Sequence, residues 1–264
     1  MEYRSIRCDA LLKTITKKDM LFQGDYCIDP YQNCEFGCLY CDSSFEKTVY
    51  VKTNAPAVLH QEIASAKKGM IIIGSVHDPY QPAENTYKLT RQLLQVIKQH
   101  EFPCHILTKS PLVLRDVDLL KTLHCLVTVS IISLDPLVSQ IFEHNAPSPN
   151  ERLHIVRTLY YKGISTGVAW VPILPYITDM NGEYLVRAAH DANARYFLDE
   201  HLELKGDQKQ IFEDILTRYY PRLTLKYQKL YQDDIKPTKS YRDMIDKKLK
   251  RYRTTYNISK KIVL

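Results

Sequence analysis

The chain has 264 residues, of which 45% are hydrophobic and 25% charged, and its formal net charge is +6. This length suffices for a substantial core, and no apolar run approaches the roughly 20 residues of a membrane span, so a transmembrane protein is excluded. The N-terminal residues lack the apolar stretch of a secretory signal, which predicts a cytoplasmic protein with no membrane partner. Seven cysteines in a reducing compartment favour metal binding or catalysis over disulfides.

Short apolar runs alternate with longer segments of helical periodicity over most of the chain. The predicted strands end near Ile28 and then cover residues 70–76, 103–109, 125–133, 164–175 and 195–204. The predicted helices cover residues 57–69, 83–100, 113–124, 136–162 and 181–194. Six β-then-α units indicate a parallel sheet with right-handed crossovers. They predict an α/β fold with a partial (β/α)6 TIM-like barrel of parallel strands, and a doubly wound sheet fits the count nearly as well.

After Gly206 the strand signals stop, and the rest of the chain has helical periodicity with a break or kink at Pro221. Residues 221–264 carry 13 Lys and Arg against 4 Asp and Glu, a net charge of +9. This basic end predicts contact with a polyanion such as nucleic acid, although a solvated helical face has the same composition. We therefore divide the chain into an N-terminal segment (1–20), a core domain (21–205) and a basic helical C-terminal extension (206–264).

Three cysteines lie close together in the segment YQNCEFGCLYC: Cys34, Cys38 and Cys41, spaced C-x3-C-x2-C. Thiolates this close belong to one compact loop, and they suit three irons of a [4Fe–4S] cubane whose fourth iron is open to a chelating ligand. Structural zinc normally takes four ligands in two pairs, and the sequence has no second pair. Cys27, seven residues upstream, would complete a zinc site with these three.

The cysteine spacing, with Tyr40 before the last cysteine, resembles the radical S-adenosylmethionine (SAM) superfamily. The segments DPYQNCEFGCLYC, GSVHDPYQPAE, LTKSPLVLRDVDLL and VPILPYITD resemble successive motifs of its spore photoproduct lyase-like branch. The resemblance implies a [4Fe–4S] cluster on the three cysteines and SAM chelated by the fourth iron. It also implies reductive cleavage of SAM to a 5′-deoxyadenosyl radical, which abstracts a hydrogen atom, and an electron donor such as a flavodoxin or ferredoxin.

Four further residues are candidates for binding SAM. The resemblance implies that Tyr40 packs against the adenine and that Ser75, at the end of the second strand, lies where the family binds the methionine amino group. It also places Lys109 as a partner of the SAM carboxylate, and Ser130 near the ribose or methionyl group. The alternatives are a solvated terminal lysine at position 109, and a hydroxyl at position 130 that bonds only to backbone.

Three residues are candidates for chemistry on the substrate. Cys27 precedes the cysteine loop and could face the cavity as a hydrogen-atom donor, although a packed strand cysteine is the alternative. His77 is a candidate substrate contact or proton donor. Asp78 follows it in the same loop, where Asp-Pro is also a common turn, and Glu84 is either a site residue or a first-turn helix charge.

The chain departs from the branch at two positions. The donor cysteine of spore photoproduct lyases aligns at or near Ser75 of this chain, which has no cysteine there. Those lyases also have a tyrosine directly after the third cluster cysteine, where this chain has Asp42. We therefore expect a different substrate from that of those lyases. A product radical would then be quenched by Cys27, by a tyrosine or by regeneration of SAM.

Three hypotheses of function follow. The first is a radical SAM enzyme acting on a nucleic acid or nucleobase, supported by the basic, tyrosine-bearing end. The second keeps the radical chemistry but has a peptide or small metabolite as substrate. The third is a non-catalytic binding module stapled by zinc or by a cluster.

Overall fold

The computed structural model describes residues 1–17, 21–41, 47–232 and 234–262. The strands are β1 (Glu2–Ile6), β2 (Lys13–Thr14), β3 (Tyr26–Ile28), β4 (Tyr31–Gln32), β5 (Thr48–Lys52), β6 (Ile71–Ile73), β7 (Cys104–Thr108), β8 (Cys125–Ser130), β9 (Ser165–Ile173) and β10 (Phe197–His201). The helices are α1 (Ala55–Ile63), α2 (Ala83–Tyr87), α3 (Leu89–Gln99), α4 (Val117–Leu120), α5 (Pro136–Phe142), α6 (Pro149–Tyr161), α7 (Gly182–Asp191), α8 (Gly206–Tyr219), α9 (Thr224–Tyr231) and α10 (Lys239–Thr255).

The main sheet has seven strands in the order β10-β9-β8-β7-β6-β3-β2. Six of its strands run parallel to one another: β3, β6, β7, β8, β9 and β10. Strand β2 pairs antiparallel with β3 at the edge of the sheet. The strand order follows the chain from one side to the other, as in a barrel, and does not reverse at a switch point as in a doubly wound sheet. The prediction of a partial six-unit barrel is confirmed. All six parallel strands therefore end at one edge, where the loops that follow them meet.

The barrel core consists of aliphatic and aromatic side chains that strands and helices contribute together. Ile71 and Ile73 of β6 and Val127 of β8 are fully buried, as runs without alternation require when both faces of a sheet are covered. On the helical side, Leu93 and Ile97 of α3 are also fully buried. This confirms the predicted apolar face of that helix.

A second sheet lies beside the cysteine loop, in the order β1-β5-β4. The sequence contains no strand signal here, because the residues of Glu2–Ile6 do not form an apolar face. In the structure their side chains are mostly exposed. Glu2–Ile6 pairs in parallel with β5, so part of the predicted N-terminal segment (1–20) belongs to a sheet. The small sheet brackets the loop, since β4 precedes it and β5 follows it.

Two predicted helices are interrupted. The helix expected over residues 83–100 breaks at Lys88, which has a left-handed backbone (φ 52°). The carboxylate of Glu84 accepts hydrogen bonds from the backbone N–H groups of Thr90 (2.9 Å) and Arg91 (3.3 Å). It thereby caps the positive end of α3. The region 136–162 divides likewise into α5 and α6, the second of which starts with a capping box at Ser148 and Glu151.

The C-terminal helices pack on the barrel through their tyrosines. Tyr227, Tyr231 and Tyr241 are almost fully buried. Their hydroxyl groups donate to Pro175 O (2.7 Å), Leu202 O (3.0 Å) and Asp179 Oδ2 (2.6 Å). These three tyrosines are packing residues and have no free face for a base. Among the helices that the structure describes, none is long and apolar enough to cross a bilayer.

The break at Lys88 gives a test of the fold. Replacing Lys88 by Gly should raise the free energy of unfolding by up to about 1 kcal/mol, because a left-handed backbone strains any residue with a Cβ atom. Lys98→Gly, in the last turn of the next helix, should lower it by about the same amount. Urea denaturation of both variants measures the difference, and a loss of stability in Lys88→Gly would contradict the described break.

Candidate active site

The cysteine loop, residues 33–41, follows β4 at the edge where the parallel strands end. Its entry is fixed by Gln81, whose side-chain amide donates to Asn33 O (3.0 Å) and accepts from the backbone N–H of Glu35 (3.0 Å). The buried Glu35 carboxylate then accepts from Ala83 N (2.7 Å) and from the hydroxyl group of Tyr3 (2.7 Å). Strand β1 and helix α2 thus hold the loop from both sides.

Two backbone bonds fix the second half of the loop. Leu39 N donates to Phe142 O (2.8 Å), and Cys41 N donates to Cys38 O (3.0 Å). Gly37 lies between the first two cysteines with a φ of +57°, the left-handed region where glycine carries no strain. The tight turn brings the three thiols together.

The three thiols are close enough to interact electrostatically. Burial, and then the charge of Asp78, raises the pKa of Cys34, and burial raises the pKa of Cys38 to about 12. The charge of Cys41 also raises the pKa of Cys38, and the charge of Cys38 raises the pKa of Cys34. None of the cysteines forms a disulfide. The described residues include no group of three or more His, Cys, Asp or Glu side chains placed for a single metal ion.

This donor set fits a cluster better than a zinc ion. A tetrahedral zinc holds four ligands around one centre, and Cys27 lies in β3 rather than with the three thiols of the loop. A cubane binds each thiolate to a different iron, so its ligands stand further apart than the ligands of one ion. The three thiols of one loop, with Cys27 outside it, supply one ligand for each of three irons of a cubane.

A cavity of about 360 Å³ adjoins the loop at the carboxyl edge of the sheet. That volume lies in the range of pockets for small molecules and cofactors. Five candidate residues from the sequence line it together with Cys41: Tyr40, Ser75, Asp78, Lys109 and Ser130. Strands β6, β7 and β8 bring the last four together because parallel strands present their ends at one edge.

Asp29, directly after β3, holds the loop that follows β6. Its carboxylate accepts hydrogen bonds from the hydroxyl of Ser75 (3.2 Å) and from the backbone N–H groups of Val76 (3.3 Å) and His77 (3.2 Å). Burial raises the pKa of the Cys27 thiol, and the neighbouring Ser75 acts in the opposite direction. Cys27 and His77 are not among the residues that line the cavity.

Asp78 connects the loop after β6 to the end of β7. Its carboxylate accepts from the hydroxyl of Thr108 (2.7 Å), from Lys109 N (2.7 Å) and from Tyr80 N (2.9 Å). Burial raises its pKa, and these three donors act in the opposite direction. The side chain therefore joins two strand ends and is well satisfied by protein donors. Glu84 does not line the cavity and instead pairs with Arg115 (2.7 Å).

A buried ion pair lies behind the cavity wall. Arg152 of α6 and Glu143 after α5 are fully buried, and Arg152 Nη1 lies 2.7 Å from Glu143 Oε2. Arg152 also donates to Ser130 O (3.1 Å) and Pro147 O (2.7 Å). The hydroxyl of Tyr40 donates to Glu143 Oε1 in a short hydrogen bond. The pair thus joins the cysteine loop, the end of β8 and two helices.

Lys109 completes this network on the cavity side. Its Nζ lies 3.9 Å from Glu143 Oε1 and 6.0 Å from the centre of the Tyr40 ring. Burial acts to lower the pKa of Lys109, but the nearby Cys38 and Glu143 outweigh it and raise the pKa. The ammonium group is therefore charged at neutral pH, and it lines the cavity at a distance from its carboxylate partner that is long for an ion pair. It is not the solvated terminal lysine of the alternative interpretation.

Part of the cavity wall comes from residues that the sequence did not single out. Gln208 of α8 lines the cavity and donates from its side-chain amide to Tyr40 O. His201, at a bulge in β10, lines it as well and lies 3.2 Å from Asp246 through Nε2. Neither residue belongs to a motif with a recognisable spacing. The only sequence signal was the position of His201 at the end of a predicted strand.

Comparison with known proteins decides the family. The model of the radical SAM superfamily matches residues 28–191, more than half of the chain. The chain belongs to the radical SAM superfamily. Uncharacterised proteins of Mycobacterium tuberculosis (strain H37Rv) and Methanocaldococcus jannaschii are 31% and 32% identical to it. The first match covers 83% of this chain and 71% of the relative, and the second covers 74% and 76%.

Solved structures of spore photoproduct lyase have a similar fold. One cysteine-to-serine mutant superposes with a TM-score of 0.75 at 17% identity, over 96% of this chain and 79% of the other. A double mutant with bound AdoMet and dinucleoside spore photoproduct gives 0.74 at 16%, over 96% and 78%. SuiB of Streptococcus suis bound to S-adenosylmethionine gives 0.59 at 13%, over 88% and 48%.

Radical SAM enzymes use a [4Fe–4S] cluster and SAM as cofactors, and two of these neighbours were solved with SAM bound. In this radical SAM chain the three-thiol loop and the adjoining cavity have the donor types and the volume that the two cofactors require. Asp42, the departure from the lyase-like pattern after the third cysteine, lies outside the described residues.

The buried pair can be tested by a double-mutant cycle. Arg152→Met should lower the free energy of unfolding by roughly 3–5 kcal/mol, because it leaves Glu143 buried without its partner. Adding Glu143→Gln to that variant should cost less than Glu143→Gln alone, and denaturant titrations of the four proteins measure the coupling.

The exposed pair Arg187–Asp191 (3.6 Å) is the matched control, and its cycle should give a coupling below about 0.5 kcal/mol. Equal, near-zero coupling in both cycles would show that the buried pair does not act as a unit.

Proposed function

We propose that this chain is a radical SAM enzyme in which Cys34, Cys38 and Cys41 hold the [4Fe–4S] cluster and the adjoining cavity holds SAM. The observation that carries the proposal is the cavity of about 360 Å³, which is lined by Cys41 and by the cationic Lys109. The third hypothesis, a stapled binding module, gives no reason for a cavity beside the thiols that is lined by Lys109 and by the strand-end residues Ser75 and Ser130.

The chemistry that these cofactors supply when bound is one-electron cleavage of SAM to a 5′-deoxyadenosyl radical, which abstracts a hydrogen atom from the substrate. The residues of this chain bind and orient the cofactors and shield them from water. Lys109 is suited to the SAM carboxylate, because its ammonium group is charged, mostly buried and only loosely paired. The Ser75 hydroxyl, held by Asp29, is suited to the methionine amino group.

Tyr40 and Ser130 have narrower parts in the proposal. The ring of Tyr40 is suited to the adenine, because its hydroxyl is fixed by Glu143 and its carbonyl by Gln208, so the ring has one orientation. Ser130 lines the cavity, and its carbonyl accepts from Arg152. The hydroxyl is then available to the ribose or methionyl group, as expected from the sequence.

We propose different roles for the three catalytic candidates Asp78, His77 and Cys27. The three hydrogen bonds of Asp78 favour a positioning role, in which it holds Lys109 at the cavity wall. His77 and Cys27 stand beside Ser75 in the surrounding shell. We keep Cys27 as the proposed hydrogen-atom donor, because its thiol neighbours Ser75, which lines the cavity.

The substrate that we propose is a nucleic acid or nucleobase, in a lyase-like reaction. Support comes from the basic C-terminal region and from a neighbour in fold that was solved with a dinucleoside spore photoproduct. A flavodoxin or ferredoxin is the proposed electron donor, and the cytoplasm the proposed compartment, because the cluster and seven thiols require reducing conditions.

The cluster proposal is tested by replacing Cys38 with Ala. The protein purified anaerobically should contain about four irons per chain and form 5′-deoxyadenosine from SAM and a strong reductant. Cys38→Ala should lose the product and most of the iron. Cys8→Ala, a partly buried cysteine outside the loop, is the control and should keep both. One zinc and no iron in the parent protein would refute the proposal.

The role of Lys109 is tested by SAM binding to the reconstituted protein. Lys109→Ala should weaken binding roughly tenfold or more, because a charged hydrogen bond in a buried site is lost. Iron content should stay unchanged. The control is Lys121→Ala at the exposed end of α4, which should bind SAM like the parent, and calorimetric titration measures all three. Unchanged affinity in Lys109→Ala would remove this residue from the SAM site.

A further inference from the structure

A large basic groove lies along α10, away from the cofactor cavity. Its volume is about 900 Å³, and five cations line it: Arg195, Lys247, Lys250, Arg253 and Lys260. The single acidic residue among its lining residues is Asp246. Such a concentration of one charge in a concave surface attracts anions far more strongly than the same charges spread over a convex face.

The helix presents these cations by its periodicity. Lys247, Lys250 and Thr254 follow one another at intervals of three and four residues, so they lie on one face of α10. Lys248 and Arg251 are exposed and do not line the groove. The cations of the C-terminal region are therefore divided between a groove and a solvated surface. The sequence alone could not show which cations belong to which.

Arg253 supplies a second observation that points to an anionic ligand. It is 7% exposed, it lines the groove, and its Nη2 pairs with Asp199 of β10. Its buried Nη1 has no hydrogen-bond partner among the described residues. A buried guanidinium nitrogen without an acceptor is costly, and a phosphate oxygen in the groove would satisfy it.

A smaller cavity of about 230 Å³ lies between the groove and the cofactor cavity. It shares Asp246 and Lys260 with the groove. It shares Glu200 and His201 with the cofactor cavity. Asp199, Asp243, Lys239 and Arg242 also line this smaller cavity, so its acidic and basic groups are nearly balanced.

Two of these acidic groups are already paired, Asp199 with Arg253 and Asp243 with Lys239. The excess of cations is therefore confined to the groove, which is where a chain of phosphates would be held. A base can reach the cofactor cavity only if it has left a helical stack, because that cavity has the volume of a small molecule.

We propose that the groove binds the phosphodiester backbone of single-stranded nucleic acid and that an adjoining nucleotide enters the cofactor cavity. The proposal rests on the nucleic-acid substrate proposed above and names the site that holds it. The phosphates contact Lys247, Lys250 and Arg253, whereas the base is read in the cavity. Affinity for the strand should therefore depend on salt and little on sequence.

The test uses the cluster-containing protein and labelled single strands of DNA and of RNA, with fluorescence anisotropy as the measurement. The groove variant Lys247→Glu with Lys250→Glu should bind at least about tenfold more weakly, and the slope of log K against log salt should fall by about 1.4, since two phosphate contacts are lost. The control variant, Lys248→Glu with Arg251→Glu, changes the net charge by the same amount and should keep at least a third of the affinity.

Three outcomes would overturn the proposal: equal losses in the groove and control variants, no difference between groove variant and parent, or tighter binding of duplex than of single strands. The Cys38→Ala variant separates this site from the radical chemistry, because it should still bind the strand. If the parent forms no 5′-deoxyadenosine while the groove variant still loses affinity, the enzymatic proposal fails and the groove stands.

Discussion

The site depends on one buried ion pair, Glu143 with Arg152. Removing two charges from water is expensive, and it is tolerable only when each charge is surrounded by partners. The partners here are the hydroxyl of Tyr40, the ammonium of Lys109, and the carbonyls of Ser130 and Pro147. Satisfying the pair thus fixes the positions of three cavity-lining residues at once. A loosely packed apolar wall could not specify their positions in this way.

The C-terminal helices take part in the site as well as in the packing. Gln208 reaches from α8 to the carbonyl of Tyr40, and His201 lines the cavity while it contacts Asp246 of α10. Three tyrosines anchor α9 and α10 to the barrel through buried hydroxyl groups. The division at residue 205 that we expect from composition therefore runs through the wall of the cavity. Residues on both sides of it line the same space.

The sequence predicted the features that depend on local pattern. The six parallel strands were recognisable because strands covered on both faces are continuous apolar runs, as in Ile71–Ile73. The cavity residues at strand ends were then predictable, because parallel strands present their carboxyl ends at one edge. The cysteine spacing likewise indicates a compact loop, because three thiols within eight residues cannot lie far apart.

Features that depend on distant partners were not predictable in this way. The strand Glu2–Ile6 is exposed and polar, and only its pairing with β5 makes it a strand. The break at Lys88 is invisible because the apolar periodicity continues through it, and its cause is the Glu84 carboxylate that caps the next helix. Glu143 and Arg152 are ordinary charged residues in sequence, and their burial follows from the packing of two helices on β8.

The contact between Gln208 and Tyr40 has a consequence for the order in which the protein is made. Synthesis proceeds from the N-terminus, so the cysteine loop leaves the ribosome long before its last anchor, in α8, exists. Until then the loop lacks the bond that fixes the carbonyl of Tyr40, and the cavity lacks one wall. Loading of the cofactors into the finished site therefore follows translation of at least the first 208 residues. A chain truncated before α8 would keep all three cysteines, but the cavity beside them would lack one wall.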